Sequence, residues 1–284
     1  MPTSNAVLTM LQPRGPRAPL VFDSPHSGTW YPADFDPAVP MQILRGGEDR
    51  FVDRLIADAP AHGIVVLAAR WARTYVDANR APDDLDPLLT GDTWPPGETP
   101  TGKAADGLGV VFRLIGSGVP IYDRTLSRSE IQTRIDRYWL PYHEALDQLL
   151  SRTEAAHGRV WHVNWHSMQS VGNALSPDQG CRRPDFVLGD LHGRACAPAF
   201  TAFVKVRLEA LGYTVDVNEP YAGAEILRRY GRPDEGRHSL QIEINRALYM
   251  NEQTLQAHEG LARLQADLGK LAAALAAWTR DRPA

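Results

Sequence analysis

Eight residues of this 284-residue chain, each next to a predicted strand end, form an ordered set of the types that metal-assisted and acid/base chemistry uses: His26, Glu48, Asp49, Arg73, Asn79, Arg80, His166 and Glu243. A zinc ion that keeps one position open for water takes about three protein ligands drawn from histidine and carboxylate. The two histidines and one acid of the Glu48-Asp49 pair supply such a set. Hydrolysis at that ion also needs a base for the water proton and a cation for the developing oxyanion. Glu243 and an arginine are the candidates.

For those side chains to meet, the elements carrying them must deliver them to one edge of one sheet. Pro19 to Phe22 reads as a strand that ends at Asp23-Ser24-Pro25-His26-Ser27-Gly28. Open α/β sheets build sites outside the carboxyl ends of their strands. Residues 49–59 have apolar positions at helical spacing, so the two acids would open a helix, a placement that a helix N-terminus favours in its own right. Gly63 to Ala69 and Thr74 to Asp77 read as strands, and Val160 to Val163 as a strand that presents His166 just beyond its end. His238 to Ile244 alternates polar and apolar residues and would carry Glu243 within a strand. An unpaired carboxylate there is costly to bury, whereas the alternation could also turn it to solvent.

Helices are expected from the Ser127–Glu130 capping box toward Glu154, with a kink at Pro141, then over Pro198 to Leu211 and over Glu252 to Thr279. The last places Leu261, Leu264, Leu268, Leu271 and Leu275 on one stripe for packing against a sheet. Residues 81–117 are rich in Pro, Gly and Asp around Trp94-Pro95-Pro96-Gly97 and read as a long covering loop. Residues 169–194 read as another loop. Strands alternating with helices predict a three-layer α/β/α architecture with a mainly parallel or mixed sheet, in one domain over residues 1–284.

Composition bounds the function. Thirty basic against 34 acidic residues, without a basic stripe, point away from nucleic acid and anionic membranes as partners. No export signal and no ~20-residue apolar run is visible, so the expectation is a cytoplasmic protein acting on a small molecule. Cys181 and Cys196 are too few for a disulfide framework.

The ordered set Pro25-His26-Ser27-Gly28, Glu48-Asp49-Arg50-Phe51-Val52-Asp53-Arg54-Leu55, Val76-Asp77-Ala78-Asn79-Arg80, Trp139-Leu140-Pro141-Tyr142-His143, Trp165-His166-Ser167-Met168 and Gln241-Ile242-Glu243-Ile244 resembles the N-formylglutamate amidohydrolase family. The likeness runs from about Phe22 to Glu252. It implies a fold similar to that of carboxypeptidase-like zinc exopeptidases, and hydrolysis of an N-acyl amino acid such as N-formylglutamate with one Zn²⁺ per chain. His26, Asp49 and His166 would be the metal ligands, with Glu48 as the alternative acid. Arg73 would polarise the carbonyl, Asn79 and Arg80 would clamp the substrate carboxylate, and Glu243 would be the general base. A small peptidase, a cell-wall-type amidase or a non-catalytic metal-binding relative would be the alternatives. Family members close to the histidine-degradation enzyme carry an aspartate where this chain has Asn164, a replacement placed to tune a ligand histidine.

Overall fold

A computed structural model describes residues 3–4, 7–92, 102–116 and 118–281. Its central sheet has eight strands: β1 Thr3–Ser4, β2 Leu8–Leu11, β3 Leu20–Ser24, β4 Val65–Ala69, β7 Val160–Met168, β8 Phe186–Gly189, β9 Val215–Val217 and β10 Arg237–Asn245, in the order β1-β2-β4-β3-β7-β10-β8-β9. Two small hairpins, β5 Leu114–Ile115 with β6 Val119–Pro120 and β11 Met250–Asn251 with β12 Gln256–Ala257, lie outside it. The core block β4-β3-β7-β10 is parallel, while β2 on β4 and β8 on β10 are antiparallel, so the sheet is mixed.

Helices cover both faces, as the alternation of strands and helices predicts. The helices are α1 Met41–Arg45, α2 Val52–Leu55, α3 Gly102–Ala105, α4 Arg128–Arg134, α5 Leu140–His157, α6 Pro198–Ala210, α7 Glu225–Tyr230 and α8 Gly260–Arg280. Successive strand residues point to opposite faces, and here the two faces differ in kind. One side gathers Leu20, Phe22, Val66, Trp161, Val163, Trp165, Leu240, Ile242 and Ile244 into a core with α6 and α8. The expected stripe Leu261, Leu264, Leu268, Leu271 and Leu275 belongs to that core. Leu275 is 0% exposed, and Leu275→Ala should cost about 2–5 kcal/mol of stability, read from the urea midpoint.

The opposite face is apolar only at its flank, where Val21, Val65 and Leu67 pack with Tyr142, Leu146 and Leu150 of α5. Along the central strands it is a buried polar column: Asp23, His162, Asn164, His166, Ser239, Gln241 and Glu243. Register sets the column's rows, because His162 lies opposite Ser239, Asn164 opposite Gln241, and His166 opposite Glu243.

Several local expectations are corrected. Thr74 to Asp77 is a run of turns, not a strand; the Trp71 indole donates to the Val76 carbonyl and Tyr75 N–H to Ala72, which curls the segment away from any sheet neighbour. Glu48 and Asp49 do not open a helix, since Phe51 takes a left-handed backbone with φ of 67° and the short α2 begins after it. β7 does not stop at Val163 but runs through His166 to Met168. The 169–194 segment contains β8, and the last helix begins at Gly260, after β12, not at Glu252. Of the 81–117 loop, Trp94 to Gly97 lie outside the described residues; its described parts hold a 3₁₀ turn at Pro87–Leu89, α3 and β5.

Ser127 caps α4 as expected, accepting the Glu130 N–H at 3.1 Å, although the Glu130 carboxylate turns to Arg124 and Arg134 instead of closing the box. Pro141 has no N–H for the carbonyl one turn back, and the helix meets it with a π-helical turn over Ile135–Trp139 in place of a simple kink. That turn aims the Trp139 indole at the Arg80 carbonyl, 2.9 Å away. A scaffold irregularity thus reaches the site.

Candidate active site

The site lies where β3, β7 and β10 end. His26 follows β3 by two residues, in a loop that passes tightly over the next strand's exit: a Cβ on Gly28 would meet the Trp71 carbonyl oxygen at 2.2 Å. Only glycine fits that crossing. Asp49 is tied to the same loop by its N–H, which donates to the His26 carbonyl at 2.9 Å. Its side chain meets both histidines, with Oδ2 at 3.5 Å from His26 Nδ1 and 3.1 Å from His166 Nδ1.

His26, Asp49 and His166 each offer a ligand atom, and the three atoms lie within 4.8 Å of one another. All three residues are buried. Ligands about 2.0–2.2 Å from one zinc ion fall within such a span. The donor set also fits the metal chemically, because buried His26 Nδ1 has no hydrogen-bond partner among the described residues. Its other nitrogen is occupied, lying 2.7 Å from Asp77 Oδ1. A carboxylate behind one ring nitrogen leaves the opposite lone pair for a metal.

Glu48 stands apart from this cluster. Its carboxylate accepts from the Tyr31 hydroxyl at 2.6 Å and from Arg50 Nη1 at 2.8 Å. Adjacent in sequence, the two acids have different surroundings: burial raises the Glu48 carboxyl against the pull of Tyr31 and Arg50. At Asp49 burial is overcome by the hydrogen bond with His166 and by the neighbouring His26 and Arg73, which hold it well below the usual carboxylate range.

Arg73 binds Asp77 Oδ2 through Nε at 3.1 Å and Nη2 at 2.7 Å, leaving Nη1 3.9 Å from Asp49 Oδ1. Asp77 therefore orients both His26 and Arg73, and despite burial these partners keep it well below its ordinary value. Glu243 is brought beside the cluster by the register of β10 on β7. Gln241 donates to its Oε1 at 3.0 Å. Burial raises its carboxyl, opposed by the charges of His166, Arg73 and Arg246 and reinforced by Asp49. A buried carboxylate with a raised proton affinity is better suited than a free one to accept and return a proton.

Asn79 and Arg80 enter less simply. The Asn79 amide is held at both ends, its Oδ1 accepting the Ile226 N–H at 2.8 Å and its Nδ2 lying 3.2 Å from His166 Nε2. It latches α7 to the site. Arg80 donates from Nε to the Leu108 carbonyl at 3.0 Å and from Nη1 to the Asn79 carbonyl at 3.0 Å. Its Nη2 has no hydrogen-bond partner among the described residues and is the atom with capacity for a ligand.

Sequence reasoning passed over Arg246, one residue beyond β10. It donates from Nη2 to Asp49 Oδ1 at 2.9 Å, from Nε to Ser167 Oγ at 3.0 Å and from Nη1 to the Gly46 carbonyl at 2.9 Å. By taking Oδ1 it turns Oδ2 toward the two histidines. An arginine three residues after the buried Glu243, with no acid on its own strand end to pair with, was the available signal. His143, a conceivable substitute base, is committed elsewhere: Nδ1 faces the Tyr230 hydroxyl at 2.9 Å, Nε2 the Ala78 carbonyl at 2.8 Å, and burial lowers its pKa to about 4.

Known proteins resemble this chain over most of its length. Residues 18–250 match the sequence model of the family described as N-formylglutamate amidohydrolase. The chain is 32% identical over 280 residues to N-formylglutamate deformylase of Pseudomonas aeruginosa, covering 94% of this chain and 96% of that protein. It is 30% identical over 272 residues to the N-formylglutamate deformylase of Pseudomonas putida, covering 94% and 95%. Among solved structures, N-formylglutamate amidohydrolase from Ralstonia eutropha JMP134 superposes with a TM-score of 0.89 at 44% identity, over 97% of this chain and 99% of that one.

Proposed function

Because this chain belongs to the N-formylglutamate amidohydrolase family, we propose that it hydrolyses the amide bond of an N-acyl amino acid, N-formylglutamate first among them, at a centre holding one Zn²⁺ ion. The observation that carries this reading is the buried His26–Asp49–His166 triangle with Glu243 in register beside His166. His26 would ligate through Nδ1, His166 through Nδ1 and Asp49 through Oδ2. When bound, the ion supplies Lewis-acid polarisation and acidifies water.

The chain's own groups do the rest. Glu243 takes a proton from the attacking water and returns it to the leaving nitrogen, so that one carboxyl serves both half-reactions. Arg73, fixed by Asp77, directs Nη1 at the oxyanion that develops on the acyl carbon. Arg80 holds a substrate carboxylate through Nη2, and Asn79 holds the loop that carries it. Arg246 and Asp77 fix Asp49 and His26 before substrate arrives, and preorganisation of this kind needs no rearrangement during the reaction.

The reading is tested by incubating purified protein of measured zinc content with N-formylglutamate, N-acetylglutamate and N-formylglutamine. Turnover of the formyl substrates at about one zinc per chain is the expected result. A zinc-loaded protein that cleaves none of them rejects it. Arg80→Lys should lower kcat/KM for carboxylate substrates by about tenfold or more, since the planar fork is lost while the charge stays. The loss should shrink for a substrate amidated at that carboxylate, and an equal loss on both would assign Arg80 to the scaffold.

A further inference from the structure

The polar column contains a buried carboxylate that touches no member of the metal triangle. Asp23, 0% exposed, accepts from Asn164 Nδ2 at 2.8 Å and from the Tyr142 hydroxyl at 2.6 Å, and lies 2.8 Å from His162 Nε2. His162 closes the row on Ser239 Oγ at 2.7 Å. On the other side of Asn164, its Oδ1 lies 2.6 Å from His166 Nε2. Asp23, His162, Asn164, Tyr142 and Ser239 are all 0% exposed, so the row is closed off from bulk solvent.

The chemistry of the row leaves one arrangement. An ionised carboxylate only accepts, so the Asn164 amide must give its NH₂ to Asp23 and its oxygen to His166. That oxygen accepts only from an N–H, which places a ring proton on Nε2 and leaves Nδ1, 3.1 Å from Asp49 Oδ2, as the nitrogen that can exchange its proton for a metal. Asn79 Nδ2, 3.2 Å from the same ring nitrogen, is a donor facing an N–H; the shorter contact to oxygen decides the tautomer. Asp23 stays ionised in this setting. Burial alone would raise its carboxyl, but the charge and hydrogen bond of His162 and the bonds from Tyr142 and Asn164 bring it below the ordinary value.

We propose that Asp23 is a positioning residue for the metal centre, acting through the Asn164 amide to hold His166 in the tautomer that ligates through Nδ1. The negative charge that a neutral Asn164 cannot give its histidine sits one hydrogen bond further back. This rests on the metal reading above. Outer partners of ligand histidines typically contribute about 10–100-fold in metal affinity.

The test is a chelator-competition measurement of zinc affinity on the full chain, with the unfolding midpoint of each zinc-free protein measured beside it. Asp23→Asn should bind zinc about tenfold or more weakly. The reciprocal double variant Asp23→Asn/Asn164→Asp, which moves the carboxylate directly onto His166, should return to within about threefold of wild type. A purely structural role for Asp23 would lower the midpoint, leave zinc affinity unchanged and give no recovery in the folded double variant. Either of the last two results overturns the proposal. Should Asp23→Asn not fold, ¹H–¹⁵N spectra of zinc-loaded wild type decide: a His166 proton on Nε2 supports the assignment and one on Nδ1 overturns it. Wild type that takes up no zinc fails differently, since it removes the metal centre and this role with it, whereas wild type and Asp23→Asn binding zinc equally well remove the role of Asp23 alone.

Discussion

Glu243→Gln should lower kcat on an N-formyl amino acid by about 10²–10⁴, the range that a general acid/base group contributes, while zinc content should stay at the wild-type level. The amide keeps the shape of the side chain and can still meet Gln241, whose Nε2 bonds Oε1 at 3.0 Å. It cannot take a proton from water. Because Glu243 lies outside the His26–Asp49–His166 triangle, the metal has no reason to leave with the activity. The measurement is kcat and zinc on one preparation. Loss of both together would make Glu243 a ligand, and near-normal turnover would place the base elsewhere, though His143, with both ring nitrogens engaged, is poorly placed to replace it.

Removing a triangle member has the opposite signature. His26→Ala and His166→Ala should each weaken zinc binding by more than about 10²-fold, beyond the ~10–100-fold of an outer partner, and abolish turnover at ordinary zinc concentrations. Asp49→Ala should do the same, and should also leave Arg246 facing the cavity with one acceptor fewer. Glu48→Ala should keep its zinc, because the Glu48 carboxylate is engaged by Tyr31 and Arg50. Stoichiometric zinc in both histidine variants would sink the site. Zinc lost from Glu48→Ala but not Asp49→Ala would exchange the roles of the two acids.

Much of this was legible because β10 alternates cleanly: Leu240, Ile242 and Ile244 against Ser239, Gln241 and Glu243 is a period-2 signal that places Glu243 in a strand. β7 carries the same alternation in Trp161, Val163 and Trp165 against His162, Asn164 and His166. There it was cut short at Val163, because asparagine and histidine resemble a loop when the sheet's second face is expected to be apolar. Thr74 to Asp77 misled in the reverse direction. Threonine, tyrosine and valine favour strands, yet β-propensity reports packing on a sheet surface, and among the described residues no strand pairs with this segment. Arg246 and the Asp23 row were out of reach for a different reason: their partners are distant in sequence, 197 residues apart for Arg246 and Asp49 and 141 for Asn164 and Asp23.

The two-faced character of the central strands also makes assembly of the site a form of proofreading. A slip of β10 along β7 by one residue would turn Ser239, Gln241 and Glu243 into the α6–α8 core and bring Leu240, Ile242 and Ile244 under the His26–Asp49–His166 triangle. Such a chain would bury unpaired polar groups in the core and lose much of its apolar packing, so it could not persist as a stable but inactive species. Correct strand pairing and a competent site are one event. Preparations of this protein should therefore hold active molecules and unfolded ones, with little between them.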